Sequence, residues 1–173
     1  MIYLDNHATT RCDPRVVDAM LPWWSQHYGN PHSSHSLGIE AADAIERGIG
    51  EIASMLNIHS DAVVITSGAT ESNNLAIRGF CTHPRQKRRH IVTVTTEHPA
   101  VLDVCRYLTT EGFETTYVDV DATGMVKVDN LAAAIRPDTI LISIMHANNE
   151  VGTIQPIAEI AALARSKGIV IHT

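Results

Sequence analysis

The stretch AVVITSGATESNNLAI, residues 62–77, places a turn of small residues between two apolar runs. The β-branched run 62–66 is typical of a buried strand, and apolar residues at helical spacing follow over 70–80. Such a turn leaves the first backbone N–H groups of the helix open to an anion. It also suits a simple N-cap formed by Ser67 or Thr70, and it matches neither the P-loop nor the GxGxxG pattern.

The chain beyond this turn alternates strand and helix at regular intervals. Its strands are continuous apolar runs, as expected where helices cover both faces of a sheet. This pattern predicts an α/β fold with a doubly wound, mainly parallel sheet. Further strands are predicted at 90–96, 115–120, 139–145 and 169–172, and further helices at 99–111, 129–136 and 156–167.

The chain before this turn is mainly helical by its pattern. Residues 13–28 open with Asp-Pro and carry apolar residues at helical spacing, which predicts one amphipathic helix. Residues 29–38 are dense in Gly, Pro, Asn and Ser and are predicted to form a loop. A second helix, capped by Ser36, is predicted to end near Leu56.

Composition limits the classes of function that are open to this chain. With 173 residues, 45% hydrophobic content and a formal net charge of -6, it suits a globular domain and disfavours nucleic-acid binding. A basic cluster at 85–90 is expected to be a solvated loop. No apolar run is long enough for a membrane span, and no secretory signal is recognised, so we expect a cytoplasmic protein without a membrane partner.

Cysteine and histidine spacing predicts neither a disulfide framework nor a metal site. The histidines between residues 27 and 35 lack a regular ligand spacing. The three cysteines show no CxxC pair and are interpreted as structural or incidental. They are Cys12, Cys81 and Cys105.

Polar residues follow three of the predicted strands, where open α/β sheets bind their ligands. They lie at Ser67–Thr70, Glu97–His98 and His146–Glu150. Ser67–Thr70 offers a phosphate cradle or a helix cap. His98 offers a ring partner and proton carrier, or is a partly buried structural histidine. The pair Asn148-Asn149 offers an amide donor or ordinary turn chemistry.

Five motifs of this chain, taken together, resemble cysteine desulfurases of the NifS/IscS type. The resemblance covers the whole chain and implies the fold-type-I, aspartate-aminotransferase-like architecture of class-V aminotransferases. It also implies an N-terminal arm over 1–12 and, over 13–173, the N-terminal part of the large domain that binds pyridoxal 5'-phosphate. The motifs are YLDNHATT (3–10), GNPHSSHSLG (29–38), TSGATESNNLAI (66–77), TEHPAVL (96–102) and SIMHANNEVGTIQP (143–156).

The same resemblance implies roles for four residues. Ala69 and Thr70 would hold the cofactor phosphate, His98 would stack on the pyridine ring and assist proton transfer, and Asn149 would bond to the phenolic oxygen. The implied reaction converts L-cysteine to L-alanine and leaves a persulfide on an enzyme cysteine. A sulfur-acceptor protein of iron–sulfur cluster assembly or a thiolation pathway would receive this sulfur, and the complete enzyme would be a homodimer.

The chain ends at Thr173, one residue before the family's pyridine-pairing Asp. By the resemblance, the Schiff-base Lys and the acceptor Cys also lie beyond this point. We therefore expect no desulfurase activity from these 173 residues alone, and an exposed apolar edge at 169–172. A truncated or proteolysed chain, a split enzyme and a degenerate fragment are the alternatives. Other functions considered are a selenocysteine lyase, another class-V enzyme, and a non-catalytic scaffold.

Overall fold

A computed structural model of the protein describes residues 2–173. The chain divides into two compact units, one that ends at Ile65 and one that begins at Thr66. The domain boundary predicted after residue 12 stays a prediction.

The first unit is helical, with α1 at Pro14–Met20, α2 at Pro22–Ser25 and α3 at Ser36–Leu56. The single helix predicted over 13–28 is wrong, because Pro22 starts a new helix. Proline has no N–H to continue the hydrogen-bond ladder, and its ring clashes with the preceding turn. A short 3₁₀ turn at Ser60–Ala62 follows α3.

The N-cap of helix α3 lies one residue earlier than predicted. Its N-cap is His35, not Ser36, and the His35 Nδ1 accepts the backbone N–H of Gly38 at 3.3 Å. Gly38 also lies against the preceding loop, since a Cβ at this position would be 2.3 Å from the carbonyl oxygen of Ser33. The loop and the first turn of α3 are therefore packed as one element.

The strand predicted over 62–66 is wrong. Residues 63–66 pair with no strand of residues 2–173, and the side chains of Val64 and Ile65 are 66% and 65% exposed. A β-branched run favours extended backbone, but a strand also needs a partner for its N–H and C=O groups.

The second unit contains a four-stranded parallel sheet in the order β2-β1-β3-β4. This confirms the predicted α/β fold with a parallel sheet. Its strands are β1 at His90–Val94, β2 at Glu114–Val118, β3 at Thr139–Ser143 and β4 at Val170–His172, and its helices are α4 at Ala69–Cys81, α5 at Pro99–Thr110, α6 at Val128–Ala134 and α7 at Ile157–Ser166.

Helices cover both faces of this sheet, as the apolar strands predicted. Ile91 joins a buried cluster with residues of α4 and α5, whereas the next residue, Val92, joins a cluster with residues of α6 and α7. Successive strand residues face opposite sides, so one strand serves both cores. Strand β4 lies at an edge of the described sheet, and its Val170 is 45% exposed.

None of the helices described over residues 2–173 combines the length and the hydropathy needed to cross a membrane.

Candidate functional site

The carboxyl ends of three strands meet the start of two helices in the second unit. A cavity of about 110 Å³ lies at this place. Because neighbouring parallel strands end at the same edge of a sheet, their following residues converge there. The polar or sulfur-containing residues that line the cavity are Asn73 of α4, Glu97 and His98 after β1, Ser143 and Met145 at or just after the end of β3, His172 of β4, and Thr173.

The start of α4 has no side-chain cap. The N-cap alternative for Ser67 does not occur, since its hydroxyl and its N–H both donate to the Glu71 carboxylate, the N–H at 2.7 Å. Ala69 and Thr70 form the first turn, and a Cβ added at Gly68 would meet nothing within 4 Å. Small side chains and open N–H groups at a helix N-terminus suit a phosphate.

Glu71 modifies the electrostatics of this helix start. The hydrogen bonds from the Ser67 hydroxyl and N–H hold the pKa of the Glu71 carboxyl below its ordinary value. The carboxylate therefore stays charged at neutral pH and complements the helix dipole on the Ser67 side. An anion at this helix would have to approach from the side of Ala69 and Thr70.

His98 is the N-cap of α5, and its side chain is exposed. Its Nδ1 accepts the backbone N–H of Ala100 at 3.1 Å. A neutral imidazole that accepts through Nδ1 carries its proton on Nε2, so Nε2 is the atom that can give a proton to a ligand. The alternative of a partly buried structural histidine does not fit this exposure.

The two neighbouring asparagines after β3 have different environments. Asn148 is buried, and its side-chain oxygen accepts the N–H groups of Glu150 and Val151, each at 2.9 Å. Its amide nitrogen donates to the carbonyl oxygen of Thr96 at 3.1 Å. Asn148 thus performs the turn chemistry, and the exposed Asn149, whose amide contacts only Glu150 at 3.3 Å, is the one available to a ligand.

Glu97 is a buried carboxyl group beside the cavity, with 6% of its surface exposed. It accepts the backbone N–H of Met145. Burial raises the pKa of Glu97, and the N–H groups of Met145 and His98 oppose this rise. Since Glu97 directly follows a predicted strand, its place at the sheet edge could be predicted, but its burial and its partner could not.

Ser143 and His172 form a second polar pair in the cavity, and the sequence reasoning did not select either residue. The Ser143 Oγ and the His172 Nδ1 are 2.9 Å apart. Burial lowers the pKa of His172, so the neutral imidazole is favoured. The only feature of the sequence that could have indicated this pair is its position, because the two residues end neighbouring strands.

Of the four site residues that the resemblance implied, only His98 lines this cavity. Ala69 and Thr70 lie at the start of α4, one turn before Asn73, and Asn149 lies on the connection after β3. Within residues 2–173, no group of three or more His, Cys, Asp or Glu side chains is placed to hold a metal ion.

The cysteines are not among the residues that line the cavity. Cys81 and Cys105 are buried, and burial raises their pKa values to about 12 and about 11. Both are therefore protonated and unreactive at neutral pH. Cys12 is exposed.

Comparisons with known proteins identify relatives of this chain. A sequence model of the class-V aminotransferase family matches residues 2–173. The cysteine desulfurase IscS of Dechloromonas aromatica is 50% identical over 173 residues, which are 99% of this chain and 43% of that protein.

Two solved structures resemble the chain in fold as well as in sequence. A NifS-like protein superposes with a TM-score of 0.95 at 40% identity, and SspA in complex with cysteine superposes with a TM-score of 0.93 at 38% identity. Each comparison covers 99% of this chain. The chain spans 48% of the first structure and 49% of the second, so it corresponds to less than half of either.

Proposed function

The chain belongs to the class-V aminotransferase family, and on that premise we propose that it forms one wall of a pyridoxal 5'-phosphate site in a cysteine desulfurase. The observation that carries the proposal is the uncapped start of α4. This helix of 13 residues has Gly68 as its N-cap and begins with Ala69 and Thr70, and no side chain competes with a phosphate for its first N–H groups.

The phosphate end of the cofactor fits this helix start. Ala69 presents only a methyl group, and the exposed Thr70 can add a hydroxyl donor to the backbone N–H groups. Glu71 is already held by Ser67, which leaves the other side of the first turn for the anion.

His98 and Asn149 act on the ring end in this proposal. Bound here, pyridoxal 5'-phosphate supplies an electron sink for amino-acid chemistry. His98 provides a flat face for stacking and moves a proton at Nε2, because Nδ1 is occupied by the Ala100 N–H. Asn149 donates its amide to the phenolic oxygen of the ring.

The substrate and partners are proposed from the same family relationship. L-cysteine is the proposed substrate, and the cysteine bound to the SspA structure supports it. Sulfur would pass to an acceptor protein in iron–sulfur cluster assembly or a thiolation pathway. A homodimer in the cytoplasm is the proposed working form of the complete enzyme.

A hybrid enzyme tests this proposal, with these 173 residues in place of the matching segment of the Dechloromonas aromatica IscS. We expect it to bind pyridoxal 5'-phosphate, seen by visible absorbance, and to release L-alanine from L-cysteine. Replacing Thr70 by Ala should weaken cofactor affinity about threefold to tenfold, the usual worth of one hydrogen bond. A folded hybrid that binds no cofactor would contradict the proposal.

The phosphate contact can also be tested in the 173-residue chain itself. Titration with pyridoxal 5'-phosphate should shift the NMR amide signals of Ala69 and Thr70, and inorganic phosphate should compete. Unchanged signals at both amides would count against a phosphate site at α4.

A further inference from the structure

We propose that Glu97 is a positioning residue that ties the connection carrying Asn149 to the turn carrying His98. The site residues on these two connections come from different strands, so their separation depends on how the strand ends are held together. For its effect on the cofactor, this inference rests on the proposed function. The tie itself is independent of that function.

The Glu97 carboxylate reaches across the sheet edge to the backbone. It lies between the end of β1 and His98, and it accepts the N–H of Met145, which follows β3 and is 48 residues away in sequence. Beyond the last ladder bonds of the two strands, parallel pairing no longer fixes the chain. A side-chain acceptor at this position therefore extends the link between β1 and β3 past the end of the sheet.

A second hydrogen bond joins the same two connections. The amide nitrogen of Asn148 donates to the carbonyl oxygen of Thr96 at 3.1 Å. Two separate hydrogen bonds therefore join the residues after β1 to those after β3. Thr96 accepts one from Asn148, and Glu97 accepts the other from Met145. These two bonds flank the backbone that sets where Asn149 lies relative to His98.

Glu97 also controls His98 through the main chain. The carbonyl oxygen of His98 accepts the N–H groups of Val101 and Leu102 at 2.9 and 3.2 Å, which fixes the first turn of α5. A displacement of Glu97 would rotate the residue that caps this helix. The imidazole and the Asn149 connection would then move independently of each other.

A glutamate is an unusual residue to bury unless its acceptor capacity is used. Its carboxylate makes a stronger bond to an N–H than a neutral amide oxygen does. The substitution Glu97→Gln would keep the length and the acceptor oxygen, whereas Glu97→Asp would leave the carboxylate one methylene too short to reach the same N–H. Glu97→Gln therefore tests whether the negative charge is needed, and Glu97→Asp tests whether the length of the side chain is needed.

Amide hydrogen exchange in the 173-residue chain tests the tie directly. In Glu97→Ala and Glu97→Asp, we expect the Met145 amide to exchange at least about tenfold faster, with unchanged exchange in the middle of β1. Glu97→Gln should keep most of the protection. As a control, Thr116→Val removes a 2.8 Å hydrogen bond to His90 at the opposite end of the sheet and should leave Met145 unaffected.

The consequence for the site is measured in the hybrid enzyme. Glu97→Asp should lower affinity for pyridoxal 5'-phosphate and shift its absorption band, and Glu97→Gln should restore both. Unchanged Met145 exchange in Glu97→Asp would overturn the proposal, as would an equal loss of protection in Glu97→Gln and Glu97→Asp. A parent hybrid without bound cofactor would refute the proposed function, while the exchange measurement would still decide the role of Glu97.

Discussion

The imidazole of His98 bonds through Nδ1 to the backbone N–H of Ala100 at 3.1 Å, so one side chain both caps α5 and lines the cavity at the strand ends. Stability and chemistry therefore depend on the same residue. Substitutions can separate the two effects because asparagine is also a good N-cap.

We expect His98→Ala to lower the free energy of unfolding by about 1 kcal/mol, and His98→Asn to change it little. In the hybrid enzyme both variants should lose about a hundredfold or more in turnover, since neither has a ring nitrogen to move the proton. Urea unfolding and alanine release are the measurements. Near-normal turnover in His98→Asn would show that the residue serves only as a cap.

The two adjacent asparagines are expected to respond in opposite ways. Asn148→Ala removes the three hydrogen bonds that this buried side chain makes to backbone groups of Thr96, Glu150 and Val151, and it should destabilise the chain by about 2 to 3 kcal/mol. Asn149→Ala should change stability by less than about 0.5 kcal/mol, because the side chain is exposed.

For the cofactor, Asn149→Ala should reduce the affinity of the hybrid enzyme about tenfold. Absorbance titration with pyridoxal 5'-phosphate checks this expectation. An unaltered affinity would remove Asn149 from the site.

Stability should fall with acidification because of His90. This residue is fully buried in β1, and its ring nitrogens contact the hydroxyls of Thr139 and Thr116 at 2.7 and 2.8 Å. Burial lowers its pKa first, and Arg136 lowers it further, against the opposing effects of Asp138 and Glu114.

The direction of the pH effect follows from this lowered pKa. Below the ordinary value of 6.5, the unfolded chain takes up a proton that the folded chain does not. The contribution of His90 to the free energy of unfolding is therefore fully present above about pH 6.5. It declines as the pH falls towards the pKa of His90 in the folded chain, by at most about 1.4 kcal/mol per pH unit for one proton.

Urea unfolding between pH 7 and pH 5 measures this decline. His90→Gln should reduce it, and His172, whose pKa burial also lowers, should account for part of the remainder. His83→Gln, at an exposed position, is the matched control and should keep the full decline. Equal slopes in the His90 and His83 variants would contradict this assignment.

Two glycines inside α3 should be replaceable with a gain in stability. A Cβ at Gly48 or Gly50 would meet nothing within 4 Å, and glycine costs a helix interior about 1 kcal/mol relative to alanine. Each Gly→Ala change should therefore raise the unfolding free energy by roughly that amount, measured by helical circular dichroism in denaturant.

Gly38 is the matched control in the same helix. Its substitution by Ala should destabilise, because the new Cβ would be 2.3 Å from the Ser33 carbonyl oxygen. A destabilising Gly48→Ala would indicate a contact at α3 that the described residues do not provide.

Much of the fold could be predicted because its determinants are local in sequence. Four apolar runs became the four strands, and the helix start at Ala69 was placed within one residue. The run 62–66 failed because β-branched residues report a preference for extended backbone, whereas a strand also needs a partner. The break at Pro22 was visible in the sequence but was outweighed by helical periodicity.

The candidate site could also be predicted only where its determinants are local in sequence. The strand-end rule brought attention to His98 and to the Asn148-Asn149 pair without knowledge of their contacts. It could not tell which asparagine is buried, because that depends on Thr96, 52 residues away. The bond from Met145 to Glu97 was out of reach for the same reason.

The burial of Cys81 and Cys105 gives the chain a single accessible point for chemical labelling among its described thiols. With pKa values of about 12 and about 11, neither buried thiol reacts with a maleimide dye at neutral pH while the protein stays folded. A probe would attach at the exposed Cys12. On denaturation, the number of labelled cysteines per chain would rise from one to three. This number would therefore report the fraction of unfolded protein.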